Sequence, residues 1–251
     1  MVAAGAAALV LTTFLTVQVT ASAPAQSTQD EVDRGAALFQ YGCTSCHGSD
    51  GVGTDKGPSL VGVGAAAADF QLSTGRMPLA SPDAKSVRKE PGYSQEDIDA
   101  LVAYVASLGA GPRIPNVDLA NADLAAGGVA YRANCAACHN AAGSGGALSY
   151  GQSAPNLFQA TPTQIVEAMR TGPGQMPVFG TKELNTEDEN NIALYITSAL
   201  QDADNRAGSA LGSTGPVPEG LLAGAVGLVV IGAALRWTVR GPKKIREESD
   251  G

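Results

Sequence analysis

Two short runs in the sequence combine thiols with an imidazole at a spacing that can hold a haem covalently. They are Cys43-Thr-Ser-Cys46-His47 and Cys135-Ala-Ala-Cys138-His139, both of the form C-x-x-C-H. Two thiols three residues apart on one helical turn can reach both vinyl groups of one porphyrin, and the adjacent histidine then points its imidazole at the iron. Because the chain has four cysteines and two histidines, two covalently bound haems c would use all of them.

Zinc sites and disulfide bonds are the other common uses of paired cysteines. A structural zinc site gathers four ligands, whereas each C-x-x-C pair here is followed at once by a single histidine. A disulfide suits an exported protein, but it does not account for two matching C-x-x-C-H runs. The spacing therefore favours haem c over both alternatives.

Methionine is the residue type that can supply the sixth ligand of each iron. Met77 and Met176 follow their histidines by 30 and 37 residues, and each precedes a proline in a loop before the last predicted helix of its half. Met169 shares a helix face with Ile165 and Val166, so we predict that it lies in the core. Methionine ligation raises the haem potential relative to two histidines. Because it also leaves no open position on either iron, we predict no catalysis by this chain alone.

Two prolines are placed to orient the histidines. Pro58 and Pro155 follow their histidines by 11 and 16 residues. We predict that the backbone carbonyl of each accepts a hydrogen bond from the histidine Nδ1, which fixes the orientation of the ring. A plain turn proline is the alternative.

The two motifs belong to an internal repeat. The segment 35–43 matches 127–135 at an offset of 92, and three later features recur in the same order. These are Gly57-Pro-Ser-Leu60 with Ala154-Pro-Asn-Leu157, Thr74–Pro78 with Thr171–Pro177, and Glu96, Asp97 and Tyr104 with Glu187, Asp188 and Tyr195. The order indicates a duplicated domain, in which Gly35 and Gly127 let the first helix cross the last one closely.

Helical patterns predict an all-α fold with two tandem domains, at residues 30–110 and 122–202. In the first domain the predicted helices are Asp30–Cys43, a short helix after residue 66, and Ser94–Leu108. In the second domain they are Asp123–Cys135, Pro162–Arg170 and Thr186–Leu200. A stiff linker, Gly109–Asn121, joins them. Aromatic residues form only 5% of the chain, and two haem macrocycles would fill the interiors instead.

A transmembrane helix is predicted at residues 219–239. The stretch is apolar and about 20 residues long, which matches the hydrocarbon core of a bilayer, provided that Arg236 snorkels. The basic tail at residues 240–251 places the C-terminus in the cytoplasm, and residues 203–218 form a linker to the second domain. A buried core helix is the alternative.

The N-terminal residues 1–22 are predicted to be a membrane anchor or a signal segment. No basic residue precedes the apolar run at residues 2–19, so the pattern leaves open whether the segment is cleaved or retained and whether the true start lies upstream. In both cases the domains between the two apolar segments are exported.

Charge excludes one class of function. Residues 30–215 hold 11 Lys and Arg against 20 Asp and Glu, a balance of −9. Nucleic-acid binding is therefore not expected.

Two class I cytochrome c modules followed by a membrane helix resemble the dihaem cytochrome c subunit of the actinobacterial cytochrome bc1 complex. The more specific matching segments are Gly57-Pro-Ser-Leu60, Gln71-Leu-Ser-Thr-Gly-Arg-Met-Pro78, Gly145-Gly-Ala-Leu148, Thr171-Gly-Pro-Gly-Gln-Met-Pro177 and Pro216-Val-Pro-Glu-Gly220. The chain departs from the family at the front, where the usual basic leader is absent.

The resemblance implies an electron-transfer role within a proton-translocating quinol–cytochrome c reductase, in a dimeric complex of the cell membrane. Electrons from menaquinol would pass from a Rieske iron–sulfur subunit, beside a cytochrome b subunit, to haem 1 and then haem 2. Haem 2 would reduce a cytochrome aa3-type oxidase. The haem domains would lie on the outer face of the membrane, in contact with lipid through the C-terminal helix.

Two other functions remain open at this point. One is a membrane-tethered dihaem cytochrome c that serves a terminal oxidase or a periplasmic dehydrogenase. The other is a dihaem peroxidase, which predicts a high-spin iron with an accessible coordination position.

Overall fold

The structure, a computed structural model, describes residues 29–201 and 216–239. The predicted N-terminal segment at residues 1–22, most of the linker at 203–218 and the basic tail at 240–251 lie outside the described residues.

The first repeat is organised by the packing of its first helix on its last. Its elements are α1 (Gln29–Gly42), α2 (Thr44–His47), α3 (Gly64–Ser73) and α4 (Gln95–Ser107). Helix α4 packs against both α1 and α3. The Ser94 hydroxyl caps α4 by accepting a hydrogen bond from the Asp97 backbone N–H, which satisfies one of the free donors of the first turn. The helices predicted at 30–43 and 94–108 are confirmed to within one residue at each end.

The second repeat has the same helix order. Its helices are α5 (Leu124–Asn134), α6 (Ala136–His139), α7 (Pro162–Thr171) and α8 (Thr186–Tyr195), and a π-helical turn at Ile196–Leu200 continues α8. Both α7 and α8 begin with a capping box, formed by Thr161 with Gln164 and by Asn185 with Asp188. These boxes satisfy free backbone donors and fix where each helix starts.

A small hairpin makes the fold mostly helical rather than all-α. Strands β1 (Gly146–Ala147) and β2 (Ser153–Ala154) pair antiparallel, joined by a 3-10 turn at Ser149–Gly151. The first repeat has 11 residues from its histidine to its proline and the second has 16. The longer connection folds back on itself, so the all-α prediction was wrong for this segment.

Glycine allows the closest helix contact in each domain. A Cβ on Gly35 would overlap the Ala100 carbonyl oxygen of α4, and a Cβ on Gly127 would overlap the Asn191 carbonyl oxygen of α8. Any other residue would force the helix backbones apart. The predicted role of these two glycines is confirmed.

The linker at residues 109–121 packs on both domains. The Pro112 carbonyl accepts a hydrogen bond of 3.0 Å from the Ala66 backbone N–H of the first domain. The Asp118 backbone N–H donates to the Asn190 side chain of the second, at 3.3 Å. The linker is therefore held at both ends.

Helix α9 (Pro216–Val239) begins three residues before the predicted membrane span. In the part of the chain that the structure describes, one helix is long and apolar enough to cross a membrane, at Gly220–Val239 with a mean hydropathy of 1.8. None of that span is buried against the rest of the protein. The alternative of a buried core helix is therefore excluded.

Candidate haem sites

Each C-x-x-C-H motif bends sharply after a long helix. Helix α1 ends at Gly42, and the backbone N–H groups of Cys46 and His47 both donate to the Cys43 carbonyl, at 3.2 and 2.9 Å. In the second domain Cys138 and His139 make the same two bonds to the Cys135 carbonyl, again at 3.2 and 2.9 Å. The two motifs therefore share one backbone conformation, with both thiols and the imidazole on a single turn.

Both histidines are oriented through the same ring nitrogen. The Nδ1 of His47 lies 2.8 Å from the Pro58 carbonyl oxygen, and the Nδ1 of His139 lies 2.9 Å from that of Pro155. Since a carbonyl oxygen only accepts, Nδ1 carries the proton and Nε2 keeps its lone pair for a metal. Burial lowers the pKa of His139, which also favours the neutral, ligating form.

The four thiols are free in the structure, so the disulfide alternative is not realised. Burial, with a smaller effect from Cys46, raises the pKa of Cys43 to about 11. Burial and Cys138 raise the pKa of Cys135 to about 11 as well. These thiols are thus protonated at neutral pH. Cys46 is half-buried like Cys43, whereas Cys138 is exposed and Cys135 is buried.

The predicted methionine ligands lie on the same apolar clusters as the first thiol of each motif. Met77 and Cys43 both pack against the core of the first domain. Met176 packs against the core of the second, which contains Cys135. Met169 is 2% exposed and belongs to that core, as predicted. The fold therefore brings a thiol and a thioether to each domain's core, with the histidine beside them.

These donors fit haem c better than zinc. Each domain presents two thiols, an imidazole with Nε2 available and a thioether, which is the donor set of a Met-ligated haem c. In residues 29–201 and 216–239, no group of three or more His, Cys, Asp or Glu side chains is arranged to hold a metal ion. The rival zinc site thus lacks further protein ligands beside either motif in that part of the chain.

Polar side chains cross the boundary between the two domains, where α3 packs against α7. Gln164 of α7 donates to the Ser73 hydroxyl at 3.1 Å and accepts from the Arg88 guanidinium at 2.6 Å. Beside them is a cleft of about 330 Å³, lined by Ser73, Arg88, Lys89, Glu90, Pro91 and Gln159. The relative placement of the two haem sites therefore depends on specific hydrogen bonds.

A carboxyl pair lies at the same boundary. Glu167 is 0% exposed, and neither of its carboxyl oxygens receives a hydrogen bond from a nitrogen or hydroxyl donor among the described residues. Burial, together with the nearby Asp69 carboxyl, raises the pKa of Glu167 to about 9. Glu167 is therefore protonated at neutral pH and can share its proton with Asp69.

Sequence reasoning gave no role to Arg76, Arg88 or Glu167. For Arg76 the repeat offered a signal, because this arginine directly precedes Met77 whereas Gln175 stands before Met176. For Arg88 and Glu167 the sequence offered none, since both matter through contacts between domains.

Comparison with known proteins agrees with a cytochrome c site in each domain. A family model described as cytochrome c matches residues 32–109, and one described as cytochrome c oxidase, cbb3-type, subunit III matches residues 122–196. The cytochrome bc1 complex cytochrome c subunit of Mycobacterium tuberculosis is 44% identical over 211 residues, covering 80% of this chain and 75% of that protein. The protein of the same name from Corynebacterium diphtheriae is 38% identical over 261 residues, covering 94% and 92%.

Proposed function

The chain belongs to the family of the cytochrome bc1 complex cytochrome c subunits, and on that premise we propose that it passes electrons through two haems in series. The first haem receives an electron from the Rieske iron–sulfur subunit, and the second delivers it to a cytochrome aa3-type oxidase. The chain is then one subunit of a proton-translocating quinol–cytochrome c reductase. It binds no quinol and performs no catalysis alone.

The ligands of each haem come from one domain. Cys43, Cys46, His47 and Met77 hold haem 1, and Cys135, Cys138, His139 and Met176 hold haem 2. Pro58 and Pro155 keep the imidazoles in place through the Nδ1 hydrogen bonds. When bound, each haem would accept one electron at its iron and pass it on.

The observation that carries this proposal is the duplicated arrangement of histidine, proline, thiol and thioether. The Nδ1 contacts differ by 0.1 Å between the domains although the intervening loops differ by five residues. Retention of this contact across the change in loop length supports its role in orienting both histidines. Two redox sites with the same ligand types in one chain suit electron relay.

The surroundings proposed for the subunit follow from its family and its C-terminal helix. Helix α9 contacts lipid and places the haem domains on the outer face of the cell membrane, with the basic tail in the cytoplasm. The cytochrome b and Rieske subunits are its partners in a complex that is dimeric.

One observation favours a second candidate. The match of residues 122–196 is to a subunit of a cbb3-type oxidase, which suits a membrane-tethered dihaem cytochrome c that serves a terminal oxidase or a periplasmic dehydrogenase. Because the bc1-subunit relatives cover both domains and the C-terminal part, we favour the reductase.

Purification of the full chain from detergent-solubilised membranes by a C-terminal tag tests the proposal. We expect two covalent low-spin haems, the weak far-red sulfur–iron band of the oxidised Met-ligated form, and b haems with a Rieske protein in the same preparation. Replacing both cysteines of one motif by alanine should lower the count to one haem, whichever motif is changed.

Two results would overturn the proposal. A high-spin iron that binds carbon monoxide would move the assignment to a haem enzyme. An oxidase without cytochrome b would move it to the second candidate.

A further inference from the structure

Arg76 is a buried cation without a counter-charge in the described part of the chain. The residue is 9% exposed, and its guanidinium lies over the Phe70 ring, with Cζ 4.8 Å from the ring centre. Its Nη1 is fully enclosed and has no hydrogen-bond partner among the described residues. A ring face attracts a cation but accepts no directed hydrogen bond of ordinary strength. Because an enclosed guanidinium N–H without an acceptor is unfavourable, Nη1 of Arg76 needs one.

A second cation lies on the segment that packs beside Arg76. Arg88 precedes Lys89, whose backbone N–H donates to the Thr74 carbonyl at 3.2 Å. The Arg88 Nη2 donates 2.6 Å to Gln164 of the second domain, so Arg88 is held at the domain boundary. Two guanidiniums brought together in a partly buried place repel each other unless an anion lies near both. The required acceptor is therefore an anion.

We propose that Arg76 binds a propionate carboxylate of haem 1, with Arg88 as the second positive charge of the same site. This rests on the proposed function, in which Met77, the next residue, ligates the iron of haem 1. A haem carries two propionates, and guanidinium is the side chain best suited to a carboxylate. Because Arg88 also donates to Gln164, this propionate site would adjoin the second domain.

The site is specific to haem 1. In the second domain Gln175 occupies the position before the methionine, and it is exposed. Arg76 therefore acts as a positioning residue that compensates one propionate of haem 1, and it makes the two haems electrostatically unequal. A positive charge next to a haem stabilises the reduced iron, so Arg76 raises the potential of haem 1.

The test uses the full chain in its native complex, with Arg76→Gln, Arg76→Lys and a matched control. Arg113→Gln removes the same charge from an exposed position in the linker. All variants are made in a Met176→His background, which separates the two redox waves by lowering that of haem 2. The readouts are haem content, potentiometric titration and the propionate bending band in resonance Raman spectra.

We expect two haems per chain in every variant. In Arg76→Gln the reduction equilibrium of haem 1 should shift about tenfold towards the oxidised form. For a one-electron couple this is a fall of about 59 mV in the reduction potential. The propionate band should shift as well, and the haem 2 wave should stay in place. Arg76→Lys should shift the equilibrium less because it keeps the charge, and Arg113→Gln should shift nothing.

The inference is overturned if haem 1 keeps its reduction potential in Arg76→Gln, or if the potentials of both haems shift equally. It is also overturned if Arg76→Lys lowers the potential of haem 1 as far as Arg76→Gln does. Loss of haem 1 from both Arg76 variants would also overturn it, because Arg76 would then serve packing. An unchanged propionate band together with a potential that follows the phosphate concentration would assign the site to a free anion instead. Fewer than two haems in the unmodified chain would contradict the proposed function and not this inference.

Discussion

In the first domain the His47 imidazole meets the Pro58 carbonyl 11 residues further on, whereas in the second His139 meets Pro155 after 16, yet the hydrogen bonds are 2.8 and 2.9 Å long. The extra residues of the second loop form the β1–β2 hairpin and leave the contact in place. The two domains thus share the contact proposed to orient the haem ligand, while the loops between histidine and proline differ in length.

The two domains differ more in their charged residues than in their backbone conformation. From Arg132 to Glu167 the second domain has no Lys, Arg, Asp or Glu in between, while the equivalent part of the first carries Asp50, Asp55, Lys56 and Asp69. The first domain also buries Arg76. Fixed charges change the potential of a nearby haem, so two sites with the same proposed ligands need not be equivalent as redox centres.

Exchanging a methionine ligand should have the largest effect. Met77→His should lower the potential of haem 1, and Met176→His that of haem 2, each by roughly 0.2 V, since axial ligands set haem potentials over a range of about 0.8 V. Potentiometric titration measures both waves, and each variant should weaken the far-red band by half. Met169→Leu is the control, because this buried methionine should leave the waves and the band unchanged. A Met176→His protein with both waves at their original potentials would remove Met176 from the ligand set.

Adding a Cβ at the helix crossing should have the next largest effect. Gly127→Ala should lower the free energy of unfolding by about 3 kcal/mol, because the new atom overlaps a backbone carbonyl of α8 that cannot move alone. Gly128→Ala, one residue further along α5, is the control. There the Cβ would meet side-chain atoms of Tyr195 and Arg132 at 3.0 and 3.1 Å, which can shift.

Denaturant unfolding of the haem-loaded protein measures this difference. We expect Gly128→Ala to stay within about 1 kcal/mol of the original chain, since alanine also favours the helix. Gly35→Ala should resemble Gly127→Ala, because the two crossings are equivalent. Equal effects of Gly127→Ala and Gly128→Ala would contradict the close-crossing argument.

Replacing the buried carboxyl at the domain boundary should stabilise the protein at alkaline pH. The pKa of Glu167 is raised from 4.5 to about 9 in the folded chain. Between these values the folded chain holds a proton that the unfolded chain has released, so the free energy of unfolding falls as pH rises. Glu167→Gln cannot ionise, and its amide can donate to Asp69. The variant should therefore unfold at a higher temperature than the original chain. At pH 8 its free energy of unfolding should be higher by about 2 kcal/mol.

The gain should vanish near pH 4, where both states of the original chain are protonated. Thermal unfolding from pH 4 to pH 9 measures the trend. Glu183→Gln, at an exposed position of the same domain, should leave the slope unchanged. A Glu167→Gln protein that keeps the original slope would show that Glu167 is ionised in the fold.

The ion pairs of the two domains should give the smallest difference. Arg170 donates from Nε and Nη2 to the two carboxylate oxygens of Glu189, at 2.8 and 2.6 Å, and the Glu189 side chain is 5% exposed. Arg34 pairs with Glu96 and Asp97 at the surface of the first domain. Glu189→Gln should lower the free energy of unfolding by about 1 kcal/mol, with the exposure of Arg170 limiting the loss.

Glu96→Gln should leave stability unchanged, because water and salt screen a surface pair. Denaturant unfolding in low and high salt measures both. A larger loss for Glu96→Gln than for Glu189→Gln would reverse the expected ranking.

Much of the fold was predictable because the repeat supplied each signal twice. The α4 and α5 boundaries were predicted to within a residue, since the capping residues Ser94 and Asp123 bind nearby backbone groups and so act locally. The β1–β2 hairpin was missed. Its strands have two residues each, too few to produce an alternating pattern.

The sequence by itself determined what each site is made of: the C-x-x-C-H runs, the two methionines, the orienting prolines and the crossing glycines all depend on spacing along one short segment. Only the tertiary structure decided how the domains meet. The bond from Arg88 to Gln164 and the protonated Glu167 arise at the boundary where α3 packs on α7. Both depend on residues from the other domain, and contacts of that kind leave no mark on local sequence pattern.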